Sequence, residues 1–239
     1  MPVSSSAHLA LVPRLLGWRY AALEPADRKA FEVALHAGSA PALALAAAAT
    51  GRRSRPAWLA LTVVPPAIAG LVLERPIERR LGGPRTVALA QVAAGAALWI
   101  ADRRLGERNT PNAGDHLAVG IGQALALAPG VSRAGAALTA ARLRGLSRPA
   151  AAALALQAAL PVSAGAAALK AVRLARGGSP DGALPPMAAG AGASLAAGIA
   201  ARGLFERLAA TGSYAPLAAY RIAFGGAVLG GVCAESHVK

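Results

Sequence analysis

An uncharged run broken by Pro-Gly constrains this chain more than any other feature. Residues 117–128 carry no charge, and residues 136–141 are again uncharged and mostly apolar. Between them stand Pro129-Gly130-Val131-Ser132-Arg133-Ala134-Gly135. Proline removes a backbone donor and glycine permits a sharp turn, which breaks a helix here. At membrane depth, irregular backbone is tolerated only where it is buried in protein or lines a watery cavity. An arginine at that depth is costly and marks function. The segment therefore reads as two half-helices meeting at a polar tip, with Ser132 and Arg133 facing an anion.

The rest of the chain supplies the membrane. Of 239 residues, 55% are hydrophobic and only 4% aromatic, and the mean hydropathy is +0.46. Those values fit a bundle of membrane helices rather than a soluble domain. The abundant alanine and glycine suit close helix packing in lipid. The net charge is +14. Its arginines cluster between the apolar runs, which points to loops beside anionic head groups and away from nucleic acid. Such clusters occupy nearly every loop, so no orientation follows from them. Cys233 is the single cysteine, which excludes an intrachain disulfide framework and a cysteine-rich zinc site. No basic stretch leads into an apolar core at the start, so no cleavable signal peptide is expected.

A crossing needs about 20 apolar residues. Six spans are expected, over 33–51, 56–73, 86–101, 149–169, 182–201 and 214–234, with charged loops between them. Pro65-Pro66 should kink the second span, and Arg221 interrupts the sixth. Residues 116–143 are too broken for one straight span. The expected fold is an all-α polytopic membrane protein, one domain over 1–239, with about six transmembrane helices plus re-entrant half-helices.

The polar break has a faint echo at the start. Pro2-Val3-Ser4-Ser5-Ser6-Ala7-His8 places proline and serine ahead of an apolar half-helix, as Pro129 to Ser132 does. Serines there can cap free backbone N–H groups, and the same N–H groups can bind an anion. Inverted-repeat membrane proteins set one broken helix from each half around a midplane site. The halves are read as 1–115 and 116–239. The second copy has a complete leading half-helix, whereas the first begins at Met1-Pro2, so the first hairpin is expected to be truncated.

At these residues the sequence resembles the undecaprenyl-diphosphatase family, the bacitracin-resistance type of undecaprenyl pyrophosphate phosphatase. The segment from Pro2 to His8 is similar to the family's Pro-x-Ser-Ser-x-Gly-His. Pro129 to Gly135, with Gly122 and Gln123 ahead of it, resembles its Pro-Gly-x-Ser-Arg-Ser-Gly-x-Thr signature. Gly145-Leu146-Ser147-Arg148 and Tyr220-Arg221-Ile222 match as well, so the likeness covers nearly the whole chain.

The resemblance implies an integral enzyme of the bacterial inner membrane. Such an enzyme removes the terminal phosphate of undecaprenyl pyrophosphate to regenerate the lipid carrier for cell-wall synthesis. It also implies an inverted repeat with two re-entrant hairpins, dependence on a divalent cation (Mg or Ca), and leaves a homodimer open. Carried over residue by residue, Ser5 matches the nucleophile or phosphate ligand, His8 the general acid or base, and Arg133 the phosphate-binding arginine. Ser4, Ser132, Gly130 and Arg221 join the phosphate-binding set, and Gln123 the pocket. Arginine can clamp phosphate oxygens bidentately and offset charge that develops in transfer. A serine needs a base to take its proton, and His8 lies close in sequence.

The departures are specific. The family's Glu/Gln-x-x-x-Glu motif would lie before Met1, so the metal ligands are not identifiable in this chain. Ala7, Ala134 and Ala137 replace the family's glycine, serine and threonine. A polyprenyl-phosphate carrier or flippase, or an inactive remnant, would share the fold without the carboxylates.

Several polar residues also have plainer readings. Arg221 fits either the phosphate pocket or a structural pair with an acid such as Asp115. His36 reads as a packed histidine. Glu24, Glu32 and Asp115 read as loop or interface residues, and Trp58 and Trp99 as interface anchors or packing residues.

Overall fold

The computed structural model describes residues 2–104, 106–177 and 184–236. Regular structure among them is helical, apart from one isolated bridge between Arg108 and Leu146. The helices are α1 (Ser5–Leu15), α2 (Pro25–Ala49), α3 (Pro56–Leu81), α4 (Pro84–Arg103) and α5 (Ala113–Leu125). They continue with α6 (Arg133–Leu143), α7 (Arg148–Gly177), α8 (Leu184–Thr211) and α9 (Ala215–Ser236). A short 3-10 turn, Arg19–Ala22, joins α1 to α2.

Four stretches are long and apolar enough to cross a membrane: Ala30–Ala49, Pro56–Leu81, Arg148–Leu169 and Pro185–Ala210. α4 and α9 are 20 and 22 residues long, or roughly 30 Å at 1.5 Å per residue. They pack on each other and carry buried Gln91 and Arg221. The chain is thus a polytopic membrane protein of the expected kind. Ile68, Leu71 and Val72 stand exposed on α3, as suits a face turned to lipid.

Helix ends differ from the expected spans. α3 continues through Glu74, Arg75 and Glu78, and α8 through Arg202 and Glu206. Arg and Glu are good helix formers, and their long stems lie along apolar surface while the charge reaches water. Charge therefore marks where a helix leaves the hydrocarbon, not where it stops.

α5 and α6 have 13 and 11 residues, roughly 20 and 17 Å, too short to cross. They pack together as a hairpin around the Pro129-Gly130 break. α5 begins with a capping box in which Asn112 and Asp115 each accept from the other's backbone N–H. That puts its start at Ala113, slightly ahead of the half-boundary read from the sequence. Asp115 is also gripped by Arg108 (2.8 Å) and Arg144 (3.0 Å). It is therefore not the partner of Arg221. A second buried acid, Asp102, accepts from Arg148 at 2.6 Å and from the Tyr214 N–H at 2.8 Å.

The faint sequence echo is a full structural correspondence. Ser4 and Ser132 are the two non-glycine residues with positive φ among the described residues, at 68° and 69°. Each caps an 11-residue helix, accepting from the N–H of Ala7 and Gly135 respectively. Both helices end on Arg-Leu, and two residues on, Gly17 and Gly145 again have positive φ. The spacing from Ser4 to Ser132 equals that from Gly17 to Gly145. Three long helices then follow each short one.

Candidate functional site

The two capped turns meet at one side chain. Arg221 of α9 is fully buried. Its guanidinium donates to the carbonyls of Pro2 (3.3 Å), Gly130 (3.0 Å) and Val131 (2.7 Å). Gln91 of α4 does the matching task for the first turn, donating to the Val3 carbonyl at 2.8 Å. Gly130 is required twice over. Its φ is 101°, and a β-carbon there would run into the Val87 carbonyl of α4. The geometry gives three of the expected site residues structural partners. Arg221 holds backbone and does not line the cavity beside Arg133. Ser4 and Ser132 are buried caps whose hydroxyls already serve their own helices.

Ser5 and His8 also fall differently from expectation. Ser5 is exposed at the first turn of α1 and makes no hydrogen bond with His8. The His8 ring lies parallel to Phe224 at 4.6 Å and to Tyr220 at 5.7 Å. Its Nδ1 is 2.8 Å from the Ser4 carbonyl, so Nδ1 carries a hydrogen and donates. In the neutral ring, Nε2 then accepts from the Tyr220 hydroxyl at 2.5 Å. His8 thereby ties α1 to α9.

Arg133 occupies on α6 the position that Ser5 occupies on α1, one residue after the capping serine. It donates to the Ser163 hydroxyl of α7 at 3.0 Å and lines a cavity of about 610 Å³. The cavity runs between α1, α2, α3, α5 and α7. Leu9, Val33, Val63, Ala67, Leu127 and Val162 give it apolar walls, and Ser6, Gln123 and Arg133 are among its polar groups. Arg14, Tyr20, Arg28, Glu32, Glu74 and Glu78 also line it. Sequence reasoning placed Glu32 in a loop or at the interface and His36 in packing. Both stand on this wall, and their spacing of four on α2 was the available signal. The Tyr20 hydroxyl donates to Glu32 at 3.3 Å. Burial, and then the Glu32 carboxylate, push the Tyr20 phenol well above its usual range, so it stays a donor.

Gln123 is almost fully buried. Its Nε2 donates to the carbonyls of Thr62 (3.1 Å) and Ala158 (3.4 Å). The Thr62 carbonyl needs that donor. In a helix it would accept from residue 66, and Pro66 has no N–H. Pro65 likewise frees the Leu61 carbonyl, against which Gly120 packs so closely that no β-carbon would fit. The α5 half-helix is thus fitted to the proline break of α3.

A divalent cation would need several carboxylate or imidazole ligands in one place. Among the described residues, no three His, Cys, Asp or Glu side chains come together as such a set. The described side chains do not fit a metal site.

The fold and site define a polytopic helical membrane protein with paired capped half-helices and an arginine on a cavity with apolar walls. Comparison with known proteins gives the family: residues 1–227 match the model of the bacitracin resistance protein BacA, and the chain belongs to that family. A relative from Geobacter sulfurreducens named undecaprenyl-diphosphatase is 40% identical over 96% of this chain and 91% of its own length. Relatives of the same name from Geobacter metallireducens and Trichlorobacter lovleyi are 37% and 35% identical. They cover 96% and 94% of this chain, and 91% and 89% of their own lengths.

Proposed function

We propose that this chain hydrolyses undecaprenyl pyrophosphate to undecaprenyl phosphate and inorganic phosphate in the bacterial inner membrane, recycling the lipid carrier for cell-wall synthesis. The observation that carries this reading is Arg133. A guanidinium held by Ser163 on an apolar cavity suits a ligand with an anionic head and a hydrocarbon tail. Arg133 grips the terminal phosphate and offsets charge that develops as the bridging P–O bond breaks. The N-terminal turn of α6 adds its dipole on the same side. Ser5 is the matching position on α1, with its hydroxyl exposed. We assign it no nucleophilic role, because His8 is engaged with Ser4 and Tyr220. The leaving group is a lipid monophosphate.

The test is a vesicle assay on the purified protein with a polyprenyl pyrophosphate, reading inorganic phosphate and lipid sidedness together. Phosphate release that scales with protein supports the reading. Movement of the lipid across the bilayer without release would instead identify a carrier.

A further inference from the structure

α5 fills only half of a slot. Its Leu117, Ile121 and Leu125 are exposed and four residues apart, so one face of the half-helix looks out to lipid. Its other side is wedged between α3 and α7, where the Gln123 amide donates to Thr62 of one and Ala158 of the other. Those two helices run in the same direction, since the loops ahead of them meet at Asn109, which accepts from Arg52 and Ser147. α5 stops at Leu125 and the chain turns back into α6, while α3 and α7 continue. The tip reaches as far as Leu127, which stands next to Gly70. Beyond it, Leu71 of α3 and Leu169 of α7 both line the cavity of Arg133, and both are exposed, at 76% and 42%. They lie roughly 14 and 17 Å along their helices from the Gln123 bridge, so they flank one gap. Gly165, one turn before Leu169, also lines the cavity, and a β-carbon there meets open space.

We propose that this gap between α3 and α7, beyond the α5 tip, is the side opening through which the polyprenyl chain of the substrate passes into the bilayer, an inference that rests on the diphosphatase reading. A cavity of about 610 Å³ is of the size that encloses a compact small molecule. A polyprenyl chain is far larger, so with its head group at Arg133 most of the chain has to lie outside. Leaving past α1 and α2 would press it against Arg14, Arg28 and Glu32 and strip those charges of water. The α3–α7 gap offers Ala67, Leu71, Gly165 and Leu169 instead. It opens on the face where Ile68 and Val72 already meet lipid. Glu74 and Glu78, further along α3, bound the gap toward the membrane surface. The unfilled half of the α5 slot thus lets one ligand keep its phosphate at mid-depth and its chain in the bilayer. Ala67 and Gly165, small residues on the two sides, set the width of the opening.

Gly165→Trp and Ala67→Trp narrow the gap from either helix. Gly203→Trp puts the same bulk on an exposed position of α8 outside the cavity, where a β-carbon also meets open space. Phosphate release is followed with a long-chain polyprenyl pyrophosphate and with a two-isoprene pyrophosphate, whose chain is short enough to stay inside. At equal folded concentration, we expect either gap variant to raise KM for the long chain at least about 10-fold with kcat within about two-fold, as loss of ground-state chain binding does. The short chain keeps its KM within about two-fold, and Gly203→Trp leaves both substrates as they were. An unchanged KM for the long chain in both gap variants, a fall in kcat without a rise in KM, an equal rise for the two chains, or the same rise in Gly203→Trp overturns this inference and leaves the diphosphatase reading standing. Absence of phosphate release from both substrates by the unsubstituted protein overturns both.

Discussion

At the scale of single residues, the division is between side chains that face the cavity and side chains that hold the loops. Arg221 belongs to the second kind. Replacing it with Met leaves three buried carbonyls unpaired. The expected cost is about 2 kcal/mol, a fall of roughly 4–8 °C in melting temperature for a chain of this size. An unchanged melting curve in detergent would show that the loops do not depend on it. Asp115 gives a pH dependence. Burial alone would raise its carboxyl. The hydrogen bonds from Arg108, the Asn112 N–H and Arg144 outweigh burial and hold it below its usual value. A carboxyl lowered in the fold contributes stability that is complete above the unfolded value, about 3.9, and is lost as pH falls through the folded one. Melting temperature should therefore drop on acidification below about pH 4, and Asp115→Asn should flatten that drop. A variant with the same acid dependence as the parent would locate the sensitivity elsewhere. Arg133 was legible in the sequence because a lone arginine inside apolar sequence needs a reason. The capping roles of Ser4 and Ser132 were half legible, since a serine before a helix reads equally as cap or anion ligand. The partners of Arg221 and His8 were not legible, because they lie about 90 and 212 residues away, beyond any local pattern.

At the scale of elements, the two short helices and the prolines explain each other. Pro65 and Pro66 read in the sequence as a kink. In the fold they are the place where α3 opens two carbonyls to Gly120 and Gln123 of α5. Tertiary partners of this kind are how membrane helices carry proline without orphaned backbone. The apolar runs were legible as helices because lipid demands satisfied backbone and long apolar stretches. Their ends were not, because arginine and glutamate continue a helix as readily as they end a span. α2 and α8 show the part played by small residues. Gly38 packs against the Ala191 backbone and Gly198 against Ala42, while the Ser194 hydroxyl donates to the Leu35 carbonyl at 2.7 Å. Alanine and glycine let the backbones approach where larger apolar residues would hold them apart.

At the scale of the whole molecule, the repeat organises the rest. Two capped turns, one from each half, lie beside Arg221, and their equivalent first residues are Ser5 and Arg133. The sequence carried this only faintly. The shared Arg-Leu-x-Gly after each short helix (Arg14 to Gly17 and Arg142 to Gly145) was the signal that the proline-serine echo left unused. The cavity has apolar walls that suit a chain, and Arg133 stands on it at the first turn of α6. The most direct measurement is inorganic phosphate released from polyprenyl pyrophosphate by the purified protein and by Arg133→Ala at equal folded concentration. The account predicts turnover at least 100-fold lower in the variant, and equal rates would contradict it.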